Sequence, residues 1–142
     1  MDEKVHGTEV LMLTCTINAG SETTLNIENV KREMNDWFPK QYNGLQAAYI
    51  RIEDSLTDVS TGSYTFIIRL TRDAVKTYMR NSDGSINPDE YEHDGFNNHS
   101  MSVLIDNLED MLIKKFSIKN TRSICLSDIN WDDEDDDLFA FP

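Results

Sequence analysis

Apolar residues in this chain recur at two different spacings, and the points where one gives way to the other set the order of its elements. In T-E-V-L-M-L-T-C-T-I-N, residues 8–18, Leu11, Leu13, Cys15 and Ile17 alternate with their neighbours at a period of two. That period places them on one face of a strand. In L-N-I-E-N-V-K-R-E-M-N-D-W-F, residues 25–38, the spacing changes, and Ile27, Val30, Met34, Trp37 and Phe38 share one helical stripe. Thr24 or Asn26 is placed to cap this helix, and Pro39 to close it.

Period two returns at 47–53, with Ala48, Ile50 and Ile52, and at 63–71, with Tyr64, Phe66, Ile68 and Leu70. The turn T-D-V-S-T-G between them makes these two strands a hairpin with a longish loop. Residues 73–80 read as a short helix and 81–97 as a polar stretch. A long amphipathic helix is expected over 98–116, its stripe made by Met101, Leu104, Ile105, Leu108, Met111, Leu112 and Phe116. The last strand is S-I-C-L-S-D-I-N, residues 123–130, and there is no internal repeat.

Strand, helix, strand, strand, helix, strand is the order of the split βαβ arrangement. The expected fold is therefore α+β, ferredoxin-like (βαββαβ), with a four-stranded, mostly antiparallel sheet and two helices on one face. Ile27, Val30, Met34, Leu104, Leu108 and Leu112 should be buried against Leu13, Ile50, Phe66 and Leu126. The other face would carry Met12, Thr14, Thr16, Tyr49, Arg51, Thr65, Ile67, Arg69 and Ser127, a mixture suited either to water or to packing on a second copy. Residues 1–130 make one domain on this reading, and 131–142 a tail.

With 26 acids against 13 bases the net charge is −13, and removing the run Asp132–Asp137 still leaves 20 against 13, a net of −7. Such a field repels phosphate backbones, so direct nucleic-acid binding is not expected, and a protein partner with a basic surface is. No apolar run reaches the roughly 20 residues of a membrane span. The acidic start M-D-E-K-V-H-G is not that of a secretory signal. The expected location is a cytoplasm, that of a host, or a virion if the protein is viral. Cys15 and Cys125, by strand parity, should lie on opposite faces as free thiols, which suits a reducing compartment.

The loop N-S-D-G-S-I-N-P-D-E-Y-E, from Asn81 to Glu92, resembles the EF-hand family over about twelve residues. Asn81, Asp83, Ser85, Asn87 and Glu90 stand at oxygen-ligand positions, and Gly84 at the sharp turn. The first ligand, normally Asp, is Met79, so no calcium binding and no other metal or cofactor is expected. His6, His93 and His99 share no ligand spacing, and no nucleophile elbow or glycine-rich phosphate loop occurs. No catalytic residue is expected, and the chain does not read as an enzyme.

The C-terminus W-D-D-E-D-D-D-L-F-A-F-P joins six acids to an apolar tip. It resembles the last residues of bacterial single-stranded-DNA-binding proteins over about eleven residues, with Phe-Pro where that family has Pro-Phe. The resemblance implies a tip that enters an apolar pocket ringed by basic residues on a partner enzyme. The body does not read as that family's OB barrel. Expected partner-binding residues are Asp132, Asp133, Glu134, Asp135, Asp136, Asp137, Leu138, Phe139, Phe141 and Pro142. The leading expectation is a non-enzymatic interaction or assembly protein, a phage or viral structural subunit docking through this tail, with homo-oligomerisation a second mode. The alternatives are a DNA-mimic inhibitor of a nucleic-acid-binding host protein and an accessory replication or recombination factor.

Overall fold

The computed structural model describes residues 3–132. The elements in chain order are β1 (Lys4–Asn18), α1 (Ile27–Gln41), β2 (Gln46–Ile52), β3 (Ser63–Arg80), β4 (Ile86–His93), α2 (Asn98–Phe116) and β5 (Asn120–Trp131). They form an α+β fold with one five-stranded antiparallel sheet and two helices. The path across the sheet is β2-β3-β1-β5, and β4 pairs with β3 off that path.

Five strands replace the four expected, and the difference lies in one segment. The short helix expected at 73–80 is instead the second half of β3, which runs unbroken for 18 residues. Its inward positions are Arg72, Ala74, Lys76 and Tyr78, all buried. Charge at inward positions is what hid the period of two. Asn81–Ser85 then reverses the chain: Gly84 takes a φ of 87°, Asn81 N–H donates to Ser85 O, and Asp83 accepts from Ser85 N–H. The polar stretch that follows contains β4, with Tyr78 opposite Tyr91 and Lys76 opposite His93. The EF-hand-like loop is thus the turn of a β-hairpin, flanked by strands where that family has helices.

Both helices pack on the same face of the sheet. Val30, Met34 and Phe38 of α1 and Leu104, Leu108 and Leu112 of α2 share one core with Leu11, Leu13, Cys15 and Ile17 of β1 and Tyr64, Phe66, Ile68 and Leu70 of β3. Lys115 reaches across to Glu33 at 2.7 Å and ties the two helices together at the surface. Asn26 caps α1 by accepting from Asn29 N–H, and Asn97 with Ser100 makes a reciprocal capping box on α2. Pro39 does not stop α1, which continues to Gln41. A proline in the last turn forfeits one backbone bond, and Phe38 beside it is fully buried.

β5 carries the largest correction to the expected packing. Its register pairs Leu126 with Met12 and Ile124 with Thr14, so both large side chains lie on the face away from the helices, 58% and 57% exposed. Ser123, Cys125, Ser127, Ile129 and Trp131 take the helix side, so Ser127 leaves the open face to which it was assigned. Cys125 pairs with Leu13 and therefore shares the face of Cys15, not the opposite one. Trp131 holds this parity, because it lies 4% exposed against Gly7, where an added Cβ would sit 2.6 Å from the indole. The domain boundary expected after residue 130 consequently falls inside β5.

Candidate functional site

Three clusters of side chains could carry chemistry or recognition. The first lies at the centre of the helix-side face. Glu9 is fully buried, and its carboxylate accepts from Arg72 Nη1 at 2.8 Å, Phe96 N–H at 3.0 Å and Ser127 Oγ at 2.8 Å. Arg72 also donates to Asp94 Oδ2 at 2.8 Å, and its guanidinium lies 4.9 Å from the Tyr42 ring. Burial works against the Arg72 charge, but the Glu9 hydrogen bond and the Asp94 carboxylate outweigh it and raise its pKa. The bonds to Phe96 N–H and Asp94 fasten the β4–α2 connection to the sheet.

A cleft of about 270 Å³ opens beside it, lined by Tyr42, Phe96, His99, Ser100, Leu104 and Asn107 among others. His99 is the one imidazole that lines it, and no carboxylate lines the cleft with it. Among the described residues no group of three His, Cys, Asp or Glu could hold a metal ion. Burial pushes the Cys15 thiol up to about 11, and burial with the nearby Glu9 charge pushes Cys125 up to about 12. Neither is a nucleophile at neutral pH.

The second cluster surrounds Lys76, which is 1% exposed. Its ammonium lies 4.7 Å from the Tyr91 ring centre and 5.1 Å from those of Tyr78 and Trp131. His93 lies edge-on to Trp131 at 5.7 Å and tilted against Tyr91 at 5.8 Å. Three aromatic faces around one ammonium stabilise the charge where water is excluded. Residues from β3, β4 and β5 meet here, and the cage welds the hairpin to the end of the sheet. The charged inward position concealed it in the sequence, although the alternation of Tyr91 and His93 was visible.

The third is the open face of the sheet, where register builds rows across four strands. One row is Leu126–Met12–Arg69–Tyr49, and the next is Ile124–Thr14–Ile67–Arg51. Arg122 and Thr16 follow, and Thr65 closes that end by donating its hydroxyl to Leu56 O at 3.1 Å. Toward the other end come Asp128–Val10–Thr71 and Asn130–Thr8–Asp73. A chain of net charge −13 thus gathers three arginines among apolar side chains on one surface.

Compared with protein-family models, curated proteins and solved structures, this chain matches none.

Of the expected partner-binding residues only Asp132 is described. It is an exposed turn residue whose N–H donates to His6 O at 2.9 Å. Asp133, Glu134, Asp135, Asp136, Asp137, Leu138, Phe139, Phe141 and Pro142 lie outside the described residues. Of the expected open-face residues, Met12, Thr14, Thr16, Tyr49, Arg51, Ile67 and Arg69 are brought together as anticipated. Ile124 and Leu126 were missed because hydrophobicity assigned them to the core, and Arg122 because the strand begins at Asn120, earlier than expected.

Proposed function

We propose that this is a non-enzymatic interaction or assembly protein that docks on a basic protein partner through its C-terminal tail and uses the open face of its sheet as a second contact surface. The observation that carries the reading is the pair of rows holding Leu126 and Ile124, more than half exposed, with Arg69 and Arg51 farther along the same rows. Large aliphatic side chains grouped on a surface with arginine at hand are the composition of protein interfaces. A particle subunit of a phage or virus is the setting we favour, since many copies there meet through repeated small surfaces.

Two further features support a binding role over a catalytic one. The buried carboxylate Glu9 spends its acceptor capacity on Arg72, Phe96 and Ser127, and both thiols are held protonated. We also infer that β1, α1, β2, β3, α2 and β5 form a ferredoxin-like core into which the β4 hairpin is inserted, since their order without β4 is strand, helix, strand, strand, helix, strand.

The reading is tested by affinity capture from the natural host with the full chain, Phe139→Ala/Phe141→Ala, and a variant with Asp132–Asp137 neutralised. Burial of two phenylalanines contributes about 3–6 kcal/mol before ordering costs, against well under 1 for an exposed acid. The aromatic double variant should therefore lose the partner by faster dissociation, and the neutralised one should associate more slowly with a flatter salt dependence. Capture that survives both changes would refute tail docking.

A further inference from the structure

The open face and the tail are matched in length as well as in chemistry. β5 delivers the chain to Asp132 beside His6, at the end of the sheet where Lys4 and His6 of β1 are exposed. Leu126 lies six positions back along the strand, or about 20 Å at roughly 3.3 Å per residue. Ile124 lies about 26 Å back on the same arithmetic. A chain that turns at Asp132 and runs back extended brings residues seven and nine beyond it about 23 and 30 Å along, less about one residue for the turn. Those residues are Phe139 and Phe141. Being two apart, they face the same side of an extended segment.

We propose that the open face of the sheet is a docking surface for the chain's own C-terminal segment, residues 133–142, which folds back so that Phe139 covers the Leu126–Met12–Arg69 row and Phe141 the Ile124–Thr14–Ile67 row. An aromatic ring over Arg69 combines apolar burial with cation–π attraction. On this path the acidic run would leave beside Lys4 and His6, and Asp137 would fall about 13 Å along, one row short of Arg69. Asp73 and Asp128, both exposed on the intervening rows, oppose it and set the charge balance that salt will modulate. Val10, between those rows and the apolar ones, is fully buried although neither helix packs on its face. A second copy's tail could meet the same rows. The chain's own is favoured because its reach coincides with them, and a short tether raises its effective concentration to the order of millimolar.

The proposal rests on the tail being a docking element. It adds that a partner must compete with the protein's own sheet for Phe139 and Phe141. It is read on the isolated full chain, so its failure is distinct from a failure to bind the host partner. Methyl NMR of the full chain should show Met12, Ile67, Ile124 and Leu126 resonances that lose their ring-current shifts in Phe139→Ala/Phe141→Ala, while those of Leu108 stay in place. Chymotryptic cleavage after Phe139 should be about tenfold faster in Leu126→Asp than in the natural chain. That is the protection expected from millimolar effective concentration against a Kd of about 0.1 mM. Both effects should be independent of protein concentration. Methyl resonances indifferent to the double substitution would overturn the proposal. Shifts that vanish on dilution, with a matching fall in mass by light scattering, would assign the face to a second copy's tail and overturn it equally.

Discussion

At the scale of single residues, the least expected feature is how much charge the sheet buries. Glu9, Arg72 and Lys76 are each less than a tenth exposed, and all three project from the helix-side face. A carboxylate and a guanidinium out of water repay their desolvation only with good geometry and further hydrogen bonds, which Phe96, Ser127 and Asp94 supply. Removing one partner is therefore worse than removing both. Glu9→Leu should lower stability by about 3–5 kcal/mol by stranding Arg72, and adding Arg72→Met should restore part of the loss. Urea denaturation of the two variants measures this, and a cost below about 1 kcal/mol for Glu9→Leu would show that the cluster does not hold the fold.

At the scale of elements, the joints between helices and strands decide where each face points. α2 ends at Ser117, the one described residue other than glycine with a positive φ, at 54°. The left-handed conformation costs an L-residue about 1–2 kcal/mol, and glycine adopts it freely. Ser117→Gly should accordingly raise stability by about 0.5–1 kcal/mol after glycine's greater entropy loss, read as a higher melting temperature. An unchanged or lower value would mean that the serine hydroxyl earns its place. The joint before β3 is tighter. Gly62, at a φ of 76°, backs onto Gly20, and a Cβ there would stand 2.1 Å from the Gly20 carbonyl oxygen. Ala19 N–H donates to Gly62 O at 2.8 Å, which ties the end of β1 to the start of β3.

At the scale of the whole molecule, the last strand runs one residue past the boundary that composition indicates. Trp131 packs on Gly7 and roofs Lys76, so it belongs to the folded body. A chain ending at residue 132 should lose no more than the roughly 1.4 kcal/mol that a tenfold docking of the tail supplies, whereas one ending at residue 130 should lose about 3–5 kcal/mol more, as for deletion of a buried tryptophan. Thermal unfolding of the two truncations distinguishes them, and equal stability would place Trp131 with the tail. The same boundary bears on function, because the tail leaves from the end of the sheet at which the open face begins.

Periodicity alone was enough for the two helices, for β1, β2 and the first half of β3, and for the hydrophobic stripe on each except β2, where a bulge turns Ala48 outward and sets Ala47 against the core in its place. Those patterns are local, and burying one apolar face requires them wherever the element lies in the fold. It was not enough for the second half of β3, for β4 or for the parity of β5. There the inward positions hold Arg72, Lys76, Ser123 and Ser127, and the outward ones Ile124 and Leu126. Most of these polar groups are held inward by partners distant in sequence: Glu9 for Arg72 and Ser127, and the Tyr91 and Trp131 rings for Lys76. Long-range pairing is a property of the tertiary structure, and it alone turned Ile124 and Leu126 from expected core into exposed surface.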